Sequence, residues 1–91
     1  MGNKKVRYSN KGISELPIDK PVLYKIQTES GNVNYAGVAQ RGRAQERIKE
    51  HIGQIPGTTV VVHQFSSIAE ARKEETKVIK QEQPKYNDKG K

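Results

Sequence analysis

Polar and basic residues dominate positions 1–12, MGNKKVRYSNKG, with little to bury, and this stretch reads as the start of a mobile arm. Ile13 and Leu16 follow as a short lid folding back before Pro17 and Pro21. Branched and aromatic residues then gather in Pro21-Val22-Leu23-Tyr24-Lys25-Ile26-Gln27, predicting a strand. Thr28-Glu29-Ser30-Gly31-Asn32 has the composition of a turn, and Val33-Asn34-Tyr35-Ala36-Gly37-Val38 completes an antiparallel hairpin. If Ser30-Gly31 is a two-residue turn, Tyr24 faces Gly37 and Tyr35 faces Ile26, so the two tyrosines lie diagonally on one face. Gly37 opposite Tyr24 then leaves room for a group to approach the backbone.

Beyond Arg41-Gly42-Arg43 the apolar period changes. Ala44, Ile48 and Ile52 recur every four residues and predict a helix that Gly53, Pro56 and Gly57 terminate. Thr58 to Phe65, with three consecutive valines, reads as a strand. Ser66 or Ser67 caps a last helix, with Glu70 placed for a capping box; it runs to about Gln81, before Pro84. The expected fold is therefore α/β of the α+β kind: a small three-stranded antiparallel sheet flanked by helices in the order β-β-α-β-α. Residues 1–20 are expected as a basic, partly disordered arm, 21–88 as a single domain and 89–91 as a tail.

Charge narrows the class of partner. Seventeen Lys and Arg against ten Asp and Glu give a net charge of +7 in 91 residues. The excess is spread, with +3 in residues 1–20 and +2 in residues 41–60. Such a balance favours a polyanion, because each neutralised phosphate releases condensed counterions; the competing reading is a basic solvated surface. The chain contains no cysteine, which excludes disulfides and thiolate zinc sites, and two histidines distant in sequence do not suggest a His-rich metal site. The longest apolar run, Val60-Val61-Val62, cannot span a bilayer, and the N-terminus lacks a signal-peptide core. A soluble cytoplasmic protein is expected, nucleoid-associated if the source is bacterial.

Two helical positions break the pattern. At about 100° per residue, Ile68, Ala71, Val78 and Ile79 share one arc of the last helix, and Glu75 falls inside it. A carboxylate there is costly unless it is paired, hydrogen-bonded or bound to a cation, so it is either a rim salt bridge or a functional group. On the first helix Arg47 and His51 stack four residues apart beside the apolar ridge. A solvated basic edge, with Arg47 pairing to Glu46 or Glu50, is the alternative. Two phenols, a guanidinium and a carboxylate from separate segments suit phosphodiester hydrolysis.

These residues resemble a known family. Val22-Leu23-Tyr24 and Tyr35-Ala36-Gly37 are similar to the paired triplets of the GIY-YIG nuclease domain. Glu46-Arg47-Ile48-Lys49-Glu50-His51 resembles its arginine-bearing helix. Glu75 through Pro84-Lys85-Tyr86-Asn87 resembles its closing motif. The likeness covers about residues 20–88 and is greatest to small stand-alone members and to the N-terminal nuclease domain of the excision-repair subunit UvrC. It implies that Glu75 holds one divalent cation, Mg²⁺ or Mn²⁺, and that Tyr24 activates the water. Tyr35 would position the water or the scissile phosphate, Arg47 would bind that phosphate, and Asn87 would support the site by hydrogen bonds. His51 and Gly37 would be supporting residues. Val22 departs from the family's glycine, and Val38 stands where repair relatives often carry lysine.

The activity implied is a metal-dependent DNA endonuclease, structure-directed or weakly specific, with no small-molecule cofactor and no membrane. Lys4, Lys5, Arg7, Arg41 and Arg43 are expected to contact the DNA backbone. Specificity would come from a protein partner, from self-association or from DNA shape. The alternative is a non-catalytic nucleic-acid-binding or adaptor protein that retains the fold.

Overall fold

Strict alternation along the central strand divides the molecule into two faces. In Val22–Gln27, residues Val22, Tyr24 and Ile26 point to one side of the sheet and Leu23, Lys25 and Gln27 to the other. The computed structural model describes residues 3–16, 19–84 and 86. Among these the order is β1 (Asn3–Arg7), α1 (Asn10–Ile13), β2 (Val22–Gln27), β3 (Val33–Ala39), α2 (Ala44–His51), β4 (Thr59–Gln64) and α3 (Ile68–Glu82). The strands form one antiparallel sheet in the order β1-β4-β2-β3.

The sheet thus has four strands rather than the expected three, and the order begins with an additional strand and helix. The segment read as an arm contributes both. Residues Asn3 to Arg7 pair with β4, from Asn3 opposite His63 to Arg7 opposite Thr59. Hydropathy misses this strand because an edge strand needs only one apolar contact, here the buried Val6, and commonly carries lysines that discourage pairing with other chains. Ser9 then caps α1 by accepting from the Gly12 amide, and Ile13 and Leu16 are buried in the main core rather than forming a lid.

The β2–β3 pairing has the expected register, with Tyr24 opposite Gly37 and Ile26 opposite Tyr35. The turn reaches it differently. The Thr28 amide donates to the Asn32 carbonyl and the Gly31 amide to the Thr28 carbonyl, so the loop is Glu29-Ser30-Gly31, with Gly31 at φ 96°. Next to it, the register shifts between Ile26 and Gln27, which leaves Asn34 as an extra residue on β3. The longer loop and the bulge offset each other, so the tyrosines keep their facing.

α1 and α2 cover the face that holds Val22, Tyr24, Ile26, Ala39, Val60 and Val62, where Ala44 and Ile48 of α2 are buried. Full burial of one side chain such as Ile48 contributes about 1.5–3 kcal/mol. α3 packs over β3 and β2 on the other face, against a smaller cluster of Leu23, Ala36 and Val78 with Val38, Phe65 and Ile79 at its margin. Ser67 is its cap, accepting from the Glu70 amide, and the Glu70 side chain accepts in turn from the Ser66 amide. The helix ends at Gln83, which adopts a left-handed conformation before buried Pro84. No helix among the described residues is long and apolar enough to cross a membrane.

Candidate active site

The hairpin register and the end of α2 bring three rings together. Tyr24 and Tyr35 project from adjacent strands with ring centroids 6.1 Å apart. His51, the last residue of α2, lies with its ring centroid 4.6 Å from Tyr35 and 5.8 Å from Tyr24. The Tyr24 hydroxyl is 2.9 Å from His51 Nε2. Tyr24 is only 3 % exposed, whereas Tyr35 and His51 are half-buried, so solvent reaches the group from the Tyr35–His51 side.

Gly37 forms the floor. A Cβ at this position would lie 2.7 Å from Tyr24 Oη, 2.8 Å from Tyr24 Cζ and 3.0 Å from Tyr35 Cε2. The space above the glycine, expected to admit an approaching group, is taken by the phenol rings themselves. Glycine is needed because the rings rest on the backbone.

Charge converges on the same point. Burial pushes the Tyr24 phenol far above its ordinary value; Tyr35 and Glu75 add to this, while Arg47 opposes it. The Tyr35 phenol is raised by burial and then by Glu75, again against Arg47. The His51 imidazole is lowered by burial and by Arg47, with Glu50 acting the other way. The ring is therefore mainly neutral near pH 7, and with Nδ1 protonated its Nε2 accepts from the Tyr24 hydroxyl. Thus Tyr24, Tyr35, Arg47, His51 and Glu75 share one electrostatic neighbourhood although they come from β2, β3, α2 and α3.

Other sequence candidates lie elsewhere. Arg41 and Arg43 precede α2, and Arg43 donates from Nε to Glu46 Oε1 at 3.0 Å. Arg47 itself is exposed and forms no salt bridge among the described residues. Lys4, Lys5 and Arg7 lie on β1, at the opposite edge of the sheet from Tyr35. Val38 belongs to the α3 face, so a cation absent from position 38 is absent from the side opposite the tyrosines. Asn87 lies outside the described residues.

Two residues went unrecognised in the sequence. Asn34, the bulge residue, donates from Nδ2 to the Pro56 carbonyl at 2.8 Å and accepts from the Tyr86 amide at 2.8 Å. It thereby ties the hairpin to the loop before β4 and to the chain beyond α3. Turn composition marks the hairpin but gives no signal for the bulge. Lys25 is the second: it follows Tyr24 in an alternating strand and so belongs to the other face.

Among the described residues no group of three or more His, Cys, Asp or Glu is gathered to hold a metal ion. The half-buried carboxylate Glu75 is the acid whose charge is felt by both phenols. Compared with known protein families and with curated proteins, the chain matches no family model and no curated relative.

Proposed function

We propose that the protein is a metal-dependent DNA endonuclease of the GIY-YIG kind. The observation that supports this reading is the meeting of two phenols, an imidazole, an arginine and a carboxylate from four separate elements. Glu75 would hold a Mg²⁺ or Mn²⁺ ion, which when bound lowers the pKa of a coordinated water and neutralises charge on the scissile phosphate. Arg47, exposed at the mouth of the cluster, binds that phosphate and stabilises the charge that develops on it. Tyr35, half in solvent, orients the attacking water.

The proton path follows from the pKa directions. A free Tyr24 phenolate is strongly disfavoured by burial, so Tyr24 does not act as a stand-alone base. As its Oη accepts the proton of the water, its own proton passes to His51 Nε2, 2.9 Å away, and the phenol remains neutral throughout. His51, read from the sequence as a supporting residue, becomes the proton acceptor.

Nicking of supercoiled plasmid with Mg²⁺ or Mn²⁺ tests the reading. Wild type is expected to nick, and Glu75→Ala, Arg47→Ala and chelation by EDTA are each expected to reduce nicking by at least about 10²-fold while binding survives. Binding without cutting on plasmid, flap and branched duplexes would instead support the non-catalytic adaptor reading, in which burial of Tyr24 against His51 is packing alone.

A further inference from the structure

The α3 face carries a second set of functional groups, assembled by rungs that cross three strands. Lys5 of β1 stands opposite Val61 of β4, which stands opposite Lys25 of β2. One rung further, Arg7 stands opposite Thr59 and Thr59 opposite Gln27. Directly opposed residues share a face, and α3 packs mainly over β3 and β2, so Lys5, Arg7, Thr59 and Val61 of β1 and β4 occupy the half of the face beyond the helix, and Lys25 and Gln27 of β2 stand at its border. Lys5 and Arg7 are exposed; Lys25, Thr59 and Val61 are half-buried. The two lysines stand on either side of Val61 across the sheet, an arrangement in which apolar stems can cover the valine while the charged ends stay hydrated. A cleft of about 340 Å³ opens beside Lys5, Arg7 and Thr59. None of the three cations forms a salt bridge among the described residues; of the acids nearby, Glu74 lines a neighbouring cleft with Lys25 and His63, and Glu15 lines another with Lys5, Arg7, Lys4 and Lys11.

We propose that this face binds the phosphodiester backbone of duplex DNA, separately from the tyrosine cluster on the opposite face. Lys5 and Lys25 are two strand spacings apart, about 10 Å, and Arg7 lies about 7 Å along β1 from Lys5. A duplex carries one charge per ~1.7 Å of axis, so a patch of this width meets several phosphates at once. No aromatic side chain stands on these rungs to stack on an unpaired base, which favours the backbone of a duplex over a single strand. The proposal shares DNA as the partner with the hydrolytic reading, and Lys5 and Arg7 as expected backbone contacts, but none of the residues that reading assigns to the chemistry. Its test therefore needs neither metal nor turnover.

Fluorescence anisotropy of a labelled DNA duplex in EDTA, across a series of salt concentrations, provides that test on the full chain. The variant Lys5→Ala/Arg7→Ala/Lys25→Ala is compared with Lys73→Ala/Lys77→Ala/Lys80→Ala, which removes the same charge from exposed positions of α3. With about 0.9 in log–log slope per phosphate contact, the first variant is expected to flatten the salt dependence by ~2.7. Between about 50 and 200 mM salt, wild type then loses roughly 40-fold more affinity than this variant does. The α3 variant is expected to keep the wild-type slope. Equal flattening by both variants, or none by the first, overturns the proposal. A chain that binds in this way but never nicks plasmid removes the hydrolytic reading and leaves this one standing.

Discussion

Tyr24 and Lys25 are neighbours in β2, yet they serve opposite faces of one sheet. Tyr24 is buried at 3 % exposure, rests on Gly37 and is hydrogen-bonded to His51. Lys25 stands in a rung with Val61 and Lys5 and is half-buried beside a cleft it shares with His63 and Glu74. One face concentrates titratable groups by excluding solvent, which shifts their proton affinities; the other carries Lys5, Arg7 and Lys25 on adjacent rungs, where the proposal above has them meet a polyanion as fixed charges. The first arrangement depends on packing and is fragile. The second depends on number of charges and tolerates change.

The largest expected effect separates these two residues directly. Tyr24→Ala removes a buried ring and should cost about 3–5 kcal/mol, a large share of the stability of a small domain. Lys25→Ala should change stability by no more than about 0.5 kcal/mol, while reducing the salt slope of DNA binding by about 1. Urea unfolding of both variants checks the first contrast. Similar destabilisation by the two would mean that the faces are not distinct in the way described.

A smaller effect is expected at Gly37. Gly37→Ala places a methyl group against rigid ring atoms of Tyr24 and Tyr35 and should cost about 1–3 kcal/mol. If the rings are the cause, that cost should largely vanish in a Tyr24→Ala background, because a shared partner makes the two changes non-additive. A cost that persists there would place the strain in the β3 backbone.

How much of this was legible beforehand differs between the faces. The register that aligns Tyr24 with Gly37 follows from turn composition and strand period, and it survived a longer turn only because the bulge at Asn34 restored the phase. Glu75 was visible as a carboxylate on an apolar arc, and His51 as a residue four positions after Arg47. The hydrogen bond from Tyr24 to His51 was not, because it depends on where α2 ends relative to the sheet. The lysine face was hidden for a different reason. Lys5 and Lys25 are twenty positions apart, and only the pairing of β1 with β4 aligns them. With a single buried valine in β1, hydropathy gave that pairing no support.

The two histidines extend the comparison to pH, since His51 belongs to the cluster and His63 of β4 to the α3 face. Both are lowered from 6.5, chiefly by burial; Lys25 also lowers His63 while Glu74 opposes it. In each case the unfolded chain takes up its proton first as pH falls. Their contribution is therefore fully present above about pH 6.5 and is lost as pH falls from there through the lowered folded value. Melting temperature should drop across this window. His51→Gln, which retains an acceptor for Tyr24, should make the drop shallower, and His63→Gln should do the same independently. An unchanged profile in His51→Gln would show that its ring is not held neutral.

A small change in stability is expected at Arg43 as well. Its contact with Glu46 joins side chains that are 59 % and 63 % exposed, and such a pair contributes about 0–1 kcal/mol. Arg43, Arg47 and His51 nevertheless recur every four residues, so they form one ridge that leads to the rings. If that ridge guides a phosphate backbone, Arg43→Ala should weaken duplex binding, whereas Glu46→Ala, which releases the guanidinium from its carboxylate, should strengthen it. Melting temperatures should stay within about 3 °C of wild type in both, since a few tenths of a kcal/mol shifts a domain of this size by about 1–3 °C. Opposite signs in binding at constant stability would assign the ridge to the ligand. Shifts of the same sign would reduce the Arg43–Glu46 pair to local structure and leave Arg47 alone to hold the phosphate.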